Sequence, residues 1–452
     1  MKKISIGDLK QINVKYLARR MLSSATEQWY AKGDKPSEDR RRLLMSTYIA
    51  NIIANMIGGS FFTGMLLLMN ADDSFIGNMT MIAVAVNMLQ LFAPLLLERY
   101  ASRKRLLMRL RWILFAINIL FIGLIPLFPI AQQAKLAMTA ISIFVVNLIN
   151  ALISPGITVW HIQSIPPNVR SSFYALITMT VGAVVAICNL INSAVVDMFR
   201  AANMEYWGLL SLRVVAFGFA ALDMYLYRKV EEYPYPDDGP NARKFGVRDM
   251  LVKPFRERRY LRTVAVTFLW NLAANIPGSY FTVYLLKNME VSYTYIMLVN
   301  MINIPIVLFL TPVWRKLLTR FSWFKTLYIA MALYLLHFIG VAFVTKDTLW
   351  MFPVFCIWAY IMAIGINLSF TSIPYVNIPE KNQTLFIGFY STAANFAAFL
   401  GVLLGKEFLL NTEGMWISVL GTAMMNKQIL MLVTAGVMAI ATGGIALLTR
   451  KQ

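Results

Sequence analysis

The chain has 452 residues, of which 58% are hydrophobic and 14% are charged, and its mean hydropathy is +0.61. A soluble domain carries about 25% charged residues, so this much apolar sequence excludes a soluble fold built on one core. The formal net charge of +20 does not indicate a nucleic-acid-binding protein, because the basic residues lie between long apolar runs, as is typical of membrane surfaces.

The predicted elements begin with a charged segment, residues 1–43, which lacks the apolar core of a signal peptide. It predicts either an amphipathic helix on the lipid surface or a solvated cytoplasmic tail. A membrane-spanning helix needs about 20 mainly apolar residues, and the apolar runs that follow predict twelve of them. In chain order, the first to twelfth predicted spans cover residues 44–69, 75–97, 105–128, 136–161, 172–197, 206–228, 262–286, 292–313, 324–345, 349–374, 385–409 and 428–449.

The fold class expected from these runs is all-α, a polytopic helical bundle, because the runs are long and do not alternate as β-barrel strands do. Lys and Arg side chains set its orientation. Alternate connections on one side hold 35 of the 42 basic residues, and the connections on the other side hold 6. This asymmetry predicts that both termini and a central loop, residues 229–261, are cytoplasmic. The expected location is the cell membrane of a prokaryote.

Three short sequences recur in the same order in the two parts of the chain. The first repeat lies in the first and seventh spans, where Asn51, Ala54, Asn55, Gly58 and Phe61 recur 220 residues later as Asn271, Ala274, Asn275, Gly278 and Phe281. The second pairs residues 96–106 with 317–327, and the third pairs 164–173 with 377–386. Together they predict two related six-helix bundles, 44–228 and 262–449, which is a known transporter architecture.

The connection between the second and third spans carries a recognisable loop motif. Leu96, Glu98, Arg99 and a basic tail that includes Arg103 and Lys104 follow Pro94. With this loop and its weaker copy near residue 320, the chain resembles the major facilitator superfamily of secondary transporters, whose motif reads Gly-x-Leu-Ala-Asp-Arg-x-Gly-Arg-Lys. The glycines are lost here. The resemblance implies alternation between inward-open and outward-open states, and a gating role for Glu98, Arg99, Arg103, Lys104, Arg320 and Lys325.

Polar side chains within the spans are the candidate solute-binding groups. Polar residues are costly against lipid and usually face a protein interior or a cavity, and the resemblance implies a cavity between the halves. The candidates are Asn51, Asn55, Asn147, Asn150, Asn189, Trp270, Asn271, Asn275, Trp358, Tyr360, Asn367 and Asn395. Amides also join helices to one another, so a structural role is the alternative at each position. Amides and indoles suit a neutral polar or aromatic solute.

Three further residues are possible charge or proton sites. Asp223 lies near the cytoplasmic end of the sixth span and is expected to reach water. Arg213 in the same span is expected either to extend towards the outer surface or to bind an anion. His337 titrates near neutral pH or forms a structural hydrogen bond. No carboxylate lies in the middle of a span, so uniport, sodium coupling and a proton relay through histidine all remain open.

Other protein classes are less compatible with the sequence. It has no metal-ligand spacing, phosphate loop or catalytic serine motif, so neither an enzyme nor a metal or cofactor site is expected. The duplicated halves argue against a channel. A lipid or lysolipid flippase on the same fold, or a non-transporting receptor or assembly factor, remains as an alternative. The expected partners of a monomeric chain are a small solute and the bilayer, with no nucleic acid.

Overall fold

The structure is a computed structural model, which describes residues 34–93, 97, 103–163, 165, 170–232, 253–373, 377, 383–419 and 421–449. The predictions for residues 1–33 and for most of the central loop therefore lie outside the described residues. We refer to the helices before residue 233 as the N-terminal helices and to those after residue 252 as the C-terminal helices.

The N-terminal helices contain several interruptions. They comprise α1 (Lys35–Ile57), α2 (Gly59–Leu68), α3 (Asp73–Asn87) with a 3-10 turn (Met88–Phe92), α4 (Lys104–Phe115) with a π-helix (Ala116–Phe121), α5 (Ile122–Leu124) with a 3-10 turn (Ile125–Leu127), α6 (Gln132–Gln163), α7 (Arg170–Ala201) and α8 (Glu205–Lys229). Helix α1 begins nine residues before the first predicted span, because Pro36 lies in its first turn and the Asp34 carboxylate accepts a hydrogen bond from Ser37 N.

The C-terminal helices are interrupted as well. They comprise α9 (Arg258–Ala274), α10 (Tyr280–Val283) with a π-helix (Tyr284–Asn288), α11 (Tyr293–Met301), α12 (Asn303–Arg320), α13 (Trp323–Ala342), α14 (Met351–Ser372), α15 (Gln383–Asn411) and α16 (Asn426–Thr449). A short antiparallel hairpin, β1 (Trp416–Val419) and β2 (Thr422–Met425), joins α15 to α16. The sequence analysis did not predict this hairpin.

Ten helical stretches in the described part of the chain are long and apolar enough to cross a membrane. The expectation of a helical, multi-pass membrane protein is therefore confirmed. The second and seventh predicted spans are not among the ten, because α3 has only 15 residues and α9 only 17 before the chain changes conformation.

The first and seventh predicted spans are both broken at a glycine. Between α1 and α2 the backbone of Gly59 has φ of +53°, and between α9 and α10 that of Gly278 has φ of +47°. Glycine adopts this left-handed conformation without steric cost. The two copies of the first repeat thus share a structural break as well as a sequence.

The most extensive contacts between the N-terminal and C-terminal helices are those of α3 with α15 and of α7 with α11. On the N-terminal side α1 packs against α7 and α8, and α3 against α6. On the C-terminal side α9 packs against α15 and α16, and α13 against α14 and α16. Glycines permit the closest of these approaches, since a Cβ at Gly401 or Gly405 of α15 would overlap the carbonyl oxygen of Leu272 or Ile276.

Replacing Gly401 with Leu is expected to force α15 away from α9 and to lower the free energy of unfolding by roughly 1–3 kcal/mol, the usual range for overpacking. The measurement is the apparent melting temperature in detergent. Gly443→Leu is the matched control, because a Cβ at that exposed position meets no neighbouring atom. Equal destabilisation by the two changes would contradict this account of the helix contact.

Candidate functional site

A cavity of about 390 Å³ lies among α1, the start of α2, α4 with its π-helix, and α6. Its wall includes Gly58, at the break that ends α1. Four polar side chains line it: Arg111 and Asn118 from the third predicted span, and Asn147 and Asn150 from the fourth. The remaining lining residues are apolar or glycine. All of them belong to the N-terminal helices, so this cavity is not the one expected between the two halves.

Arg111 is held at the cavity by a buried carboxylate. Its Nε and Nη2 atoms both lie 2.8 Å from Oδ2 of Asp223 on α8, and Oδ1 of Asp223 accepts a hydrogen bond from the Ser46 hydroxyl on α1. Asp223 has no exposed surface. The expectation that Asp223 reaches water is therefore wrong, because the helices around it close over the carboxylate and Arg111 takes the place of solvent.

Aromatic side chains surround the same ion pair. The Arg111 guanidinium carbon lies 5.0 Å from the ring centre of Phe115 and 4.9 Å from that of Tyr227, within the range of cation–π attraction. The Tyr227 hydroxyl in turn hydrogen-bonds His161 Nε2, and Trp160 packs on the Tyr227 ring. These contacts fix the orientation of the guanidinium at the cavity wall.

Arg213 lies deep within the bundle and is only 3% exposed. Its guanidinium donates to the carbonyl oxygens of Asn118 at 2.7 Å, Ile119 at 3.4 Å and Ile57 at 3.4 Å. The prediction that it extends towards the surface is wrong, because these carbonyls belong to the π-helix and to the end of α1, where helical bonding is interrupted. Arg213 thus braces two interruptions that shape the cavity wall.

The predicted asparagines divide into two groups. Asn147 and Asn150 line the cavity, although the Asn147 amide also donates to Ile143 O at 2.8 Å. The four amides of the first repeat instead donate to backbone carbonyls four residues earlier: Asn51 to Thr47, Asn55 to Asn51, Asn271 to Thr267 and Asn275 to Asn271, all at 2.8–2.9 Å. Asn189 donates to the Asn55 side chain at 3.3 Å, so it joins α7 to α1.

The predicted residues of the C-terminal helices lie away from this cavity. Trp270 packs against Tyr334 and Phe370, and Trp358 Nε1 donates to Leu333 O at 2.7 Å. The Tyr360 hydroxyl donates to the Asn300 side chain, and the Asn395 amide donates to Ser391 O. His337 Nδ1 lies 3.0 Å from Phe355 O, and Asn367 is exposed on α14. Each of the bonded groups has a structural partner within the C-terminal helices.

The described residues of the loop motif also make local contacts. The Glu232 carboxylate accepts hydrogen bonds from the backbone N–H groups of Arg103 and Lys104 at the start of α4, and Lys104 Nζ reaches the carbonyls that end α8. In the second copy, Arg320 and Lys325 both lie near the ring of Phe321. Glu98 and Arg99 lie outside the described residues.

Polar contacts between the N-terminal and C-terminal helices gather where α3, α11 and α16 begin and α7 ends. The Asp197 carboxylate accepts hydrogen bonds from Tyr293 N at 3.0 Å and Thr294 N at 2.7 Å, and Lys427 Nζ lies 2.7 Å from Asp73. A Cβ at Gly64 or Gly77 would overlap the hydroxyl of Tyr293 or Tyr280. We call this region, defined by Asp73, Asp197, Tyr280, Tyr293 and Lys427, the interlocked end.

Two lining residues, Arg111 and Asn118, were not predicted from the sequence as site residues. The count of basic residues assigns Arg111 to the connection before the third span. Such a count treats every basic residue near a helix end as a surface group. A periodicity signal was present: Arg111, Leu114, Phe115 and Asn118 recur at helical spacing, and all four line the cavity.

Comparisons with known proteins agree on the fold. The sequence profile described as Major Facilitator Superfamily matches residues 43–402, and no curated protein sequence matches significantly. A mutant of the nucleoside transporter NupG superposes with a TM-score of 0.70 at 11% identity, covering 91% of this chain and 100% of that one. A bacterial homologue of the iron transporter ferroportin in inward-facing state has a TM-score of 0.67 at 13% identity, covering 91% of this chain and 98% of that one. A D-xylose-proton symporter has a TM-score of 0.64 at 12% identity, covering 91% of this chain and 97% of that one.

Replacing Arg213 with Met keeps a long side chain but removes the donors to three backbone carbonyls. Because each buried acceptor left without a partner costs about 1–3 kcal/mol, the variant is expected to unfold at a lower temperature. A solute bound in the cavity is also expected to raise its melting temperature less than that of the unmodified protein. Arg228→Met on the exposed surface of the same helix is the control. An unchanged melting temperature in Arg213→Met would show that Arg213 does not brace the interruptions.

Proposed function

The chain belongs to the Major Facilitator Superfamily of membrane transporters, and from this premise we propose that it carries a small organic solute by alternating access. In this proposal twelve spans form two six-helix halves, 44–228 and 262–449, with both termini and the connecting loop in the cytoplasm. The solute binds in the cavity among α1, α4 and α6, where Asn147 and Asn150 are the binding residues retained from the sequence analysis.

The interlocked end is the observation that carries the proposal. By the distribution of basic residues it is the extracellular end. Its polar contacts among the described residues include the Asp197 carboxylate, which caps the start of α11 across the boundary, and the ion pair of Lys427 with Asp73. Charge-assisted contacts of this kind stabilise one arrangement, but they contribute little once water enters. They can therefore open and close during a transport cycle.

Two tyrosines complete the interlocked end. Tyr280 and Tyr293 from the C-terminal helices are at most 1% exposed, and each occupies a notch left by a glycine of the N-terminal helices, Gly77 or Gly64. Tyr293 also stacks on Phe61 and donates to Glu205 at 2.9 Å. This seal supports an arrangement closed to the outside.

The related transporters bear on the solute class only in general terms. The named neighbours are a nucleoside transporter, a bacterial homologue of an iron transporter and a D-xylose-proton symporter, so this fold accommodates small solutes of several kinds. Glu98, Arg99, Arg103, Lys104, Arg320 and Lys325 are proposed to form the opposing contact at the cytoplasmic end when the interlocked end opens.

The proposal is tested with purified protein in proteoliposomes. The labelled panel contains nucleosides, sugars, amino acids, monocarboxylates and a lysolipid, and empty liposomes are the control. We expect saturable uptake, and exchange against internal solute, for one of the soluble classes. Movement of the lysolipid alone would favour a flippase, and no movement of any compound would contradict transport.

Replacing Gly77 with Leu is expected to keep Tyr280 out of its notch and so prevent the interlocked end from closing. Exchange should fall at least about tenfold, while a cysteine at position 279, beside Tyr280, should react faster with an impermeant maleimide from the outside. Gly182→Leu is the matched control, because a Cβ at Gly182 meets no neighbouring atom. Normal exchange by Gly77→Leu would show that this notch is not part of the cycle.

A further inference from the structure

The cavity places one positive charge beside a large apolar surface. Eleven of its fifteen lining residues are apolar or glycine, including Ile53, Phe62 and Val146, and four are polar. Sugars and other solutes with polar groups on every side fit such a wall poorly, because their hydroxyls would be buried without partners. A cation is disfavoured by the guanidinium of Arg111. The lining therefore favours an amphipathic solute with a single negative group.

The guanidinium has donor capacity left for such a group. Its Nε and Nη2 point to the same oxygen of Asp223, whereas Nη1 has no hydrogen-bond partner among the described residues. The side-chain amides of Asn118 and Asn150 line the same cavity and likewise have none in the described part of the chain. One charged donor and two amides thus converge on a space of about 390 Å³.

This cavity is the site used in the proposed transport function, and the following inference rests on that function. We propose that the cavity binds a small monoanion with an apolar body, such as an aromatic or aliphatic carboxylate, and that this anion shares the Arg111 guanidinium with Asp223. A dianion such as a phosphate monoester is excluded, because a single guanidinium already paired with one carboxylate cannot neutralise two further charges.

Binding of the anion brings a proton with it. The described titratable groups around Asp223 are Arg111 on α4, Tyr227 on α8 and His161 on α6, with the Ser46 hydroxyl on α1. Of these only Arg111 is a fixed cation. Two carboxylates beside one guanidinium, one of them the fully buried Asp223, repel each other strongly. Asp223 therefore takes up a proton when the solute carboxylate arrives, and the occupied site has the same net charge as the empty one.

The experiment compares 3-phenylpropanoate with its neutral amide on purified protein in detergent, by calorimetry and by thermal shift. The acid is expected to bind at least about tenfold more tightly than the amide, the factor that one charge-assisted hydrogen bond supplies. Removing Arg111 alone would leave Asp223 buried and unpaired, so the test variant is Arg111→Gln combined with Asp223→Asn. In this double variant the preference for the acid should disappear while the amide still binds.

Two further arms complete the test. Arg109→Gln, on the exposed side of α4, is the matched control and should keep the preference for the acid. Calorimetry in buffers of different ionisation heat should show about one proton taken up per acid bound by the unmodified protein. Asp223→Asn alone should bind the acid more tightly and take up none.

Equal affinity for acid and amide, absence of binding by both, or acid binding without proton uptake would each overturn the inference. These outcomes are distinct from failure of the transport proposal. Binding is measured without a membrane, so a protein that binds the acid as expected but moves no solute in proteoliposomes would retain the assigned site and lose the proposed function.

Discussion

Backbone amide and carbonyl groups that lie within lipid must be hydrogen-bonded by the protein itself, because hydrocarbon offers them no partner. Wherever a spanning helix is interrupted, some of these groups lose their regular partners. Here the interruptions include Gly58 and Gly59, the π-helices 116–121 and 284–288, and the break around Gly278. The side chains that meet this requirement, above all Arg213, determine where the chain can bend inside the membrane and therefore where a cavity can form.

Arg213 meets this requirement directly, whereas the asparagines of the first repeat supply partners only for their own amides. Arg213 donates to carbonyls at two interruptions at once, from a third helix. The amides of Asn51, Asn55, Asn271 and Asn275 each bond to the carbonyl one turn earlier on their own helix. Such bonds give a buried amide a partner without a ligand. The paired asparagines of the repeat therefore have hydrogen-bond partners within their own helices, and their role in solute binding stays a prediction.

Hydropathy predicted the positions of most described helices well. Helices α6, α7, α8, α13 and α16 begin and end within a few residues of their predicted spans. The breaks were not predicted, because a glycine pair in an apolar run does not alter its mean hydropathy. The π-helix was not predicted either, since its residues are ordinary helix formers.

The candidate site was predicted less well, for a related reason. The sequence indicates that a polar side chain in a span has a partner, but not whether this partner is a carbonyl one turn away, a neighbouring helix or a cavity. Asn147 and Asn150 line the cavity and Asn51 does not, although all three have the same local pattern. Asp223 was expected to meet water because it lies near a helix end, and only the packing of α1, α4 and α8 shows that Arg111 and Ser46 replace that water.

The charges are not duplicated along with the fold. Helices α13 and α16, which correspond to the ninth and twelfth predicted spans, contain no arginine and no aspartate, so they supply neither the brace nor the ion pair. Arg111 and Asp223 both belong to the N-terminal helices, so a rigid rotation of one half against the other leaves their separation unchanged. In the proposed cycle the pair is disturbed by the solute and not by the rotation. In this cycle only binding of the solute determines whether Asp223 carries a proton. Solute and proton therefore move together, although the rotation of the halves does not itself disturb the ion pair.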